Sequence, residues 1–335
     1  MYYVGLDYHL RSSNLCIVDD GGKTVKQNRI SGRWPAVMEA IGQVPGPVSV
    51  VFEASCGWGL LYDQLCRVAR RVVVAHPGSL ALIYKTRKKN DRVDAAKLAK
   101  LLYLDAVPQV HVPSAATRQW RRLVEFRRCL VTRRAAVKNQ VHALLRTLGI
   151  DSDRLRFTRK ELVKLGKEPM EDRPGLERDL LIEQHRHLSD QIRRVQRELN
   201  RIADGDGRVT LLQTAPGVGP RTAEAFCAYV DRIERFGRSN RLGSYFGLVP
   251  CQDASAGMNR LGHITKQGPA SVRQLLVEAA WIGIRKDAGL KARFDRLCQG
   301  RPERRKIAIV ALAHHLACAM GAMLRTGRSW QSQGA

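Results

Sequence analysis

Residues 114–149 contain no proline and no glycine before Gly149, the longest such run in the chain. Nothing in it interrupts a helix, and a helix of that length spans roughly 50 Å. It is too long to lie inside one small core, so the rest of the chain must be organised around it. Leu123, Leu130, Val137 and Leu144 recur every seven residues along it. Val141 and Leu148 fill the intermediate positions of the second half, where Arg127 and Arg134 stand in the first. A second stripe is more regular: Leu181, His185, Leu188, Ile192, Val195, Leu199 and Ile202 alternate spacings of four and three, the pattern of a coiled coil. Between them, residues 150–175 hold Gly166, Pro169 and Pro174 and read as an irregular connector, and Gly205 and Gly207 end the second helix. The two helices can pair as an antiparallel hairpin or across two chains, and the sequence reading favours a second chain.

The segments on either side differ in kind. Before residue 110, YYVGLD (2–7), LCIVD (15–19), VSVVFE (48–53) and RVVVA (71–75) read as strands. Asp20-Gly21-Gly22 turns a hairpin, while Gly57–Ala69 and Asp91–Leu102 read as helices. Hairpin strands followed by strands alternating with helices indicate an α/β domain. Residues 208–325 read as mainly helical. The organisation expected is therefore three parts: 1–112, 113–204 as a helical coiled-coil connector, and 205–330.

Charge narrows the partner. The chain has 57 Lys and Arg against 31 Asp and Glu, a net charge of +26. Self-repulsion of that size is relieved by a polyanion, because Lys and Arg bound to phosphates release counterions. The long helix expected at 114–149 carries Arg121, Arg122, Arg127, Arg128, Arg133 and Arg134 against a lone Glu125. The eight cysteines form no CxxC pair, which excludes the usual zinc-ligand spacing. Met1 leads straight into a strand-like segment, so a cytoplasmic protein with reduced thiols is expected. The apolar stretch Ile307–Met323 includes His314 and His315 and reads as a buried helix, too short and polar to cross a bilayer.

Within this frame four acids stand out. Asp7 and Glu53 end two of the strands, and Asp91 and Asp94 lie three apart at a helix start, on one face. Oxygen ligands of this kind suit hard Mg²⁺, and phosphoryl transfer uses two such ions about 3.5–4 Å apart. Lys85, Arg87, Lys88 and Lys89, just before the pair, are suited to a phosphate backbone. Pro216-Gly217-Val218-Gly219 has the helix–hairpin–helix pattern, whose glycines leave N–H groups open to a phosphate at a helix N-terminus. Ser255 lies in a Gly-flanked loop with Arg260 and Lys266 close by. Its hydroxyl attacks phosphate only beside cations or metal that stabilise the alkoxide.

Taken in order, these motifs resemble those of the DEDD transposases of insertion sequences, which include Piv-type invertases and bridge-RNA-guided recombinases. The resemblance rests on Gly-Leu-Asp7, Phe-Glu53-Ala-Ser and Asn-Asp91-Arg-Val-Asp94 in the first half. In the second half it rests on PGVG, Phe246-Gly-Leu-Val-Pro250, Ser255-Ala-Gly257 and Gly262-His-Ile-Thr-Lys266-Gln-Gly268. Asn90 and Ser55 stand where threonine is usual, and Ala254-Ser255-Ala256-Gly257 where Ser-Ser-Gly-Gly is typical. The resemblance implies a RuvC-like RNase H fold for residues 1–112, with Asp7, Glu53, Asp91 and Asp94 as ligands of two Mg²⁺ ions. It implies a C-terminal transposase domain whose nucleophile is Ser255, forming a phosphoserine link to DNA. It also implies a structured guide RNA, and dimers or tetramers in which one subunit completes the serine site of another. A RuvC-like endonuclease that uses water is the competing enzyme, and a non-enzymatic nucleic-acid binder is the competing non-enzyme.

Overall fold

The computed structural model describes residues 1–55, 57–83, 91–255 and 258–332, with Ser255 described in its backbone alone. Its contacts divide the chain into two units, Met1–Ala115 and Ala116–Ala335.

The first unit opens with β1 (Tyr2–Tyr8), β2 (Ser12–Val18), β3 (Thr24–Ser31), α1 (Trp34–Gly42) and β4 (Val48–Glu53). It continues through α2 (Trp58–Leu65), β5 (Arg71–Ala75), α3 (Pro77–Ile83) and α4 (Asp91–Tyr103). The sheet order is β3-β2-β1-β4-β5. The first three strands form an antiparallel meander, whereas β1, β4 and β5 run parallel. A parallel strand covered on both faces reads as a continuous apolar run, and Val48 to Phe52 are all buried. One face packs Val4, Leu6, Val50 and Phe52 against Val37 and Ile41 of α1 and Leu61 and Leu65 of α2. The other face packs Val51 and Val73 against Leu98 and Leu102 of α4. Gly5 lets α4 lie directly on β1: a Cβ there would sit 2.1 Å from the Ala95 carbonyl oxygen.

The second unit begins with α5 (Ala115–Thr147), α6 (Arg159–Lys167) and α7 (Asp172–Asp204). Helices α8 (Gly207–Leu212), α9 (Pro220–Val230) and α10 (Arg241–Tyr245) precede a hairpin of β6 (Pro250–Ser255) and β7 (Met258–Ile264). Helices α11 (Ala270–Lys286), α12 (Ala288–Cys298) and α13 (Arg305–Thr326) complete it. Segment 150–175, read as irregular, thus holds α6, which Thr158 and Glu161 start with a reciprocal capping box.

Within the chain the heptad stripe packs as an antiparallel hairpin, the other pairing the sequence allowed, with Leu181, His185, Ile192 and Leu199 buried and Leu188, Val195 and Ile202 half-buried. Leu199 and Ala203 of α7 pack with Trp120 and Val124 of α5. At the other end Leu181 and Ile182 meet Val141, Leu144 and Leu145, together with Leu162 and Leu165 of α6. The helices therefore run antiparallel, and α6 supplies the apolar surface that a sequence stripe alone leaves unassigned. Helix α13 is the buried helix expected, but not for the reason of being too short and polar. Within Pro302–Thr326 an 18-residue stretch is long and apolar enough to cross a membrane, with a mean hydropathy of 1.9. What places it in a globular core is packing: Leu312, Ala313, Leu316, Ala317 and Met320 are fully buried against the other helices.

Candidate functional site

The end of β1 and the end of β4 are adjacent, since Leu6 pairs with Phe52 and Asp7 and Glu53 follow next on parallel strands. Helix α4, seated over β1 at Gly5, brings its first-turn acids Asp91 and Asp94 to the same edge. All four carboxylates line one cavity of about 330 Å³, together with His9, Ser55 and Lys97.

Inside this group the structure brings three side chains closest. Ligand atoms of Asp7, His9 and Asp91 lie within 4.8 Å of one another. His9 Nε2 is 3.3 Å from Asp7 Oδ2 and 4.0 Å from Asp91 Oδ2. Asp94 pairs instead with Lys97, Nζ to Oδ1 at 3.3 Å. Burial pushes the Asp7 carboxyl above its ordinary value, and the charges of Asp91 and Asp94 push the same way, while His9 opposes them. Ionised acids held together against their repulsion mark a site ready for a cation. Ligand atoms of Asp7, His9 and Asp91 within 4.8 Å of one another are close enough to share an ion whose oxygen ligands lie at about 2.1 Å, so this part of the donor set fits a divalent metal. Sequence reasoning missed His9, which lies just past the end of β1, two residues beyond Asp7. It also missed Lys97, which the helical period places one turn beyond Asp94 on α4.

The basic residues fall into different environments. Lys85, Arg87, Lys88 and Lys89 lie outside the described residues. Arg122, Arg128 and Arg133 are exposed on α5, Arg128 with a bond to Glu125 at 2.9 Å. Arg127 and Arg134 are half-buried. Arg121 is half-buried and donates to the carbonyls of Ala228 at 2.8 Å and Tyr229 at 3.0 Å at the end of α9. Its guanidinium satisfies carbonyls at the end of a helix. Gly217 is required by packing, because a Cβ there would meet the Ala279 carbonyl oxygen of α11 at 2.1 Å. Gly219 caps α9, with nothing within 4 Å of its would-be Cβ.

Ser255 ends β6, paired with Met258 on β7. The segment read as a loop is therefore a hairpin, with Ala256 and Gly257 outside the described residues. Arg260 and Lys266 are exposed on and just after β7. Arg273 of α11 holds the hairpin's base, donating to the carbonyls of Phe246 at 2.9 Å and Gln267 at 3.0 Å.

An acid-lined sheet edge in one unit and a basic helical unit after it define a DNA-recombining enzyme once relatives are considered. Residues 4–150 match the family model described as a transposase of the DEDD, IS110 type, and residues 209–295 match that of the transposase IS116/IS110/IS902 family. A probable family 20 transposase of Pseudomonas aeruginosa is 28% identical over 284 residues, 83% of each chain. The transposase of element IS1328 from Yersinia enterocolitica is 27% identical over 317 residues, 92% of each. That of IS1111A from Coxiella burnetii is 28% identical over 333 residues, 96% of this chain and 89% of the relative. The chain belongs to the DEDD transposase family of insertion sequences.

Proposed function

We propose that this transposase excises and inserts its element by serine attack on DNA, with Asp7, Glu53, Asp91 and Asp94 as metal ligands and a structured RNA as guide. The observation that carries the reading is the single cavity shared by those four carboxylates. A sheet of order 3-2-1-4-5, with acids at the ends of β1 and β4 and at the start of α4, supports a RuvC-like fold for the first unit. Divalent ions held there would steady the charge on the entering and leaving oxygens of a phosphodiester. The acids hold and orient, and Lys97 keeps Asp94 in position.

Ser255 supplies the nucleophile in this reading. Its hydroxyl gives its proton to a solvent base as Oγ bonds to phosphorus, and the bond to one deoxyribose oxygen breaks. That oxygen leaves and takes up a proton. A hydroxyl of the incoming strand then attacks the phosphoserine, which restores a phosphodiester and frees Ser255. Ser271, another serine of the C-terminal unit, is 3% exposed and bonded to Glu125, so it is poorly suited to attack. Exposed Arg122 and Arg133, with Arg260 and Lys266 near the serine, support contact with nucleic-acid phosphates. Assembly as a homo-oligomer would let one subunit deliver Ser255 to the acids of another.

The test is a covalent adduct. Protein incubated with element DNA, guide RNA and Mg²⁺ should form a protein–DNA link that survives denaturation, and Ser255→Ala should lose it while still binding DNA. Cleavage without any adduct would mean that water is the nucleophile.

A further inference from the structure

The second unit holds a cavity of about 650 Å³ between α5, α6 and α7, away from Ser255 in sequence and not used by the chemistry above. Helix α5 contributes Arg127, Arg134 and Lys138 to its wall. The segment entering α6, and α6 itself, contribute Arg156 and Arg159. Helix α7 contributes Arg186, Arg193 and, among the described residues, the sole lining acid, Asp190, which is already bound to Arg193. Seven cations against one neutralised acid repel one another across a partly desolvated space, where Coulomb terms are stronger than in water.

Two polar groups on this wall are buried without partners among the described residues. His185 is 6% exposed, and neither ring nitrogen makes a hydrogen bond. Arg127 Nε is likewise buried and unpaired. An unmade bond at a buried donor is costly, and most buried polar groups in proteins avoid it. The ring of His185 lies 5.3 Å from that of Phe157, over which Lys138 Nζ stands at 4.9 Å. Phe157 has a φ of 60°, a strained value for a residue with a side chain. His142, bonded to Ser152 at 2.8 Å, makes an edge contact with the Phe157 ring at 5.3 Å between centroids.

We propose that this cavity binds a tetrahedral oxyanion, a phosphate group, through Arg134, Lys138 and His185. Such an ion accepts from fixed cationic donors, satisfies a ring N–H and relieves the repulsion at once. Guanidinium forks and an ammonium together match its geometry. Burial, then Lys138, Arg134 and Arg186, push His185 down to about 4, so its ring is neutral at pH 7. A bound anion offsets those charges and raises the value, so binding takes up protons and tightens as pH falls. The inference stands apart from the serine chemistry, and its test does not read strand cleavage.

The test follows the His185 ring by NMR in the full chain, its resonance identified by loss in His185→Gln. Inorganic phosphate at constant ionic strength should shift that resonance saturably and raise the pH at which it titrates. Arg134→Gln and Lys138→Gln, both at half-buried positions, should each weaken the effect about tenfold with the fold retained by circular dichroism. A short RNA duplex without terminal phosphates is the second probe. A response to both assigns the pocket to a backbone phosphodiester, and a response to inorganic phosphate alone assigns it to a free or terminal phosphate. No saturable response to either probe overturns the proposal. So does a shift that chloride reproduces, or one that survives both substitutions.

Discussion

Burial pushes two carboxyls of this chain, Asp7 and Glu224, above their ordinary range, and each makes a prediction. Asp7 is held high by burial and by neighbouring carboxylates. A carboxyl whose folded pKa is raised costs stability once pH exceeds its unfolded value, so at neutral pH ionised Asp7 strains the apo site. Asp7→Asn should raise the Tm of metal-free protein at pH 7 and abolish cleavage. Mg²⁺ should raise the Tm of the native chain and not that of the variant. An equal rise in both would remove Asp7 from the metal site. Glu224 on α9 is 1% exposed and is pushed up to about 7, burial outweighing Arg221 and Arg127. Arg221 donates to its Oε1 at 3.0 Å and lies 2.8 Å from Oε2 without hydrogen-bond geometry, so the pairing is incomplete. Because the value is raised, the cost appears as pH climbs from about 4.5 towards 7. Stability should fall by roughly 2 kcal/mol from pH 5 to pH 8 on this account. Glu224→Gln should flatten that slope in denaturant titrations at the two pH values, and an unchanged slope would assign it to another group.

At the scale of elements, the stripe of α7 shows how a regular pattern leaves its partner open. Period alone says that Leu188, Ile192, Val195 and Leu199 share a face. It does not say which apolar face meets them, because α5, α6 and a second chain offer equivalent chemistry. Within one chain, the return of α5 and the insertion of α6 cover most of that face. Leu188→Glu with Val195→Glu should therefore lower stability by about 2–4 kcal/mol at every protein concentration. Loss of oligomeric mass with an unchanged Tm would mean that the stripe joins chains instead. The β6–β7 hairpin was illegible for the opposite reason. Six of the seven β7 residues are exposed, so no apolar alternation marks the strand.

For the whole molecule, the excess of positive charge is the property most open to measurement. Nucleic-acid affinity should fall steeply with salt, with a slope set by the number of phosphates neutralised. Replacing Arg127, Arg128, Arg133 and Arg134 together with Gln should reduce that slope by about one for each phosphate left without its arginine. Arg121→Gln should leave the slope nearly unchanged and lower the Tm, since its guanidinium serves the end of α9. A slope that responds to Arg121 as strongly as to the other four would return it to the binding surface.

The sequence by itself determined the α/β character of the first unit, the presence of the two long helices and the acids at β1, β4 and α4, though α7 begins at Asp172, inside the segment read as a connector. Those features follow from local causes: apolar period, glycine and proline punctuation, and the side chain that ends a strand. Only the tertiary structure decided that His9 stands between Asp7 and Asp91, that Arg121 is spent on backbone carbonyls, and that Arg134, Lys138 and His185 share one cavity. These depend on which surfaces exclude water together, and residues far apart in the chain settle that by packing. A charged side chain reads the same in sequence whether it faces solvent, caps a helix or waits on a ligand; its desolvation and its partners make the difference.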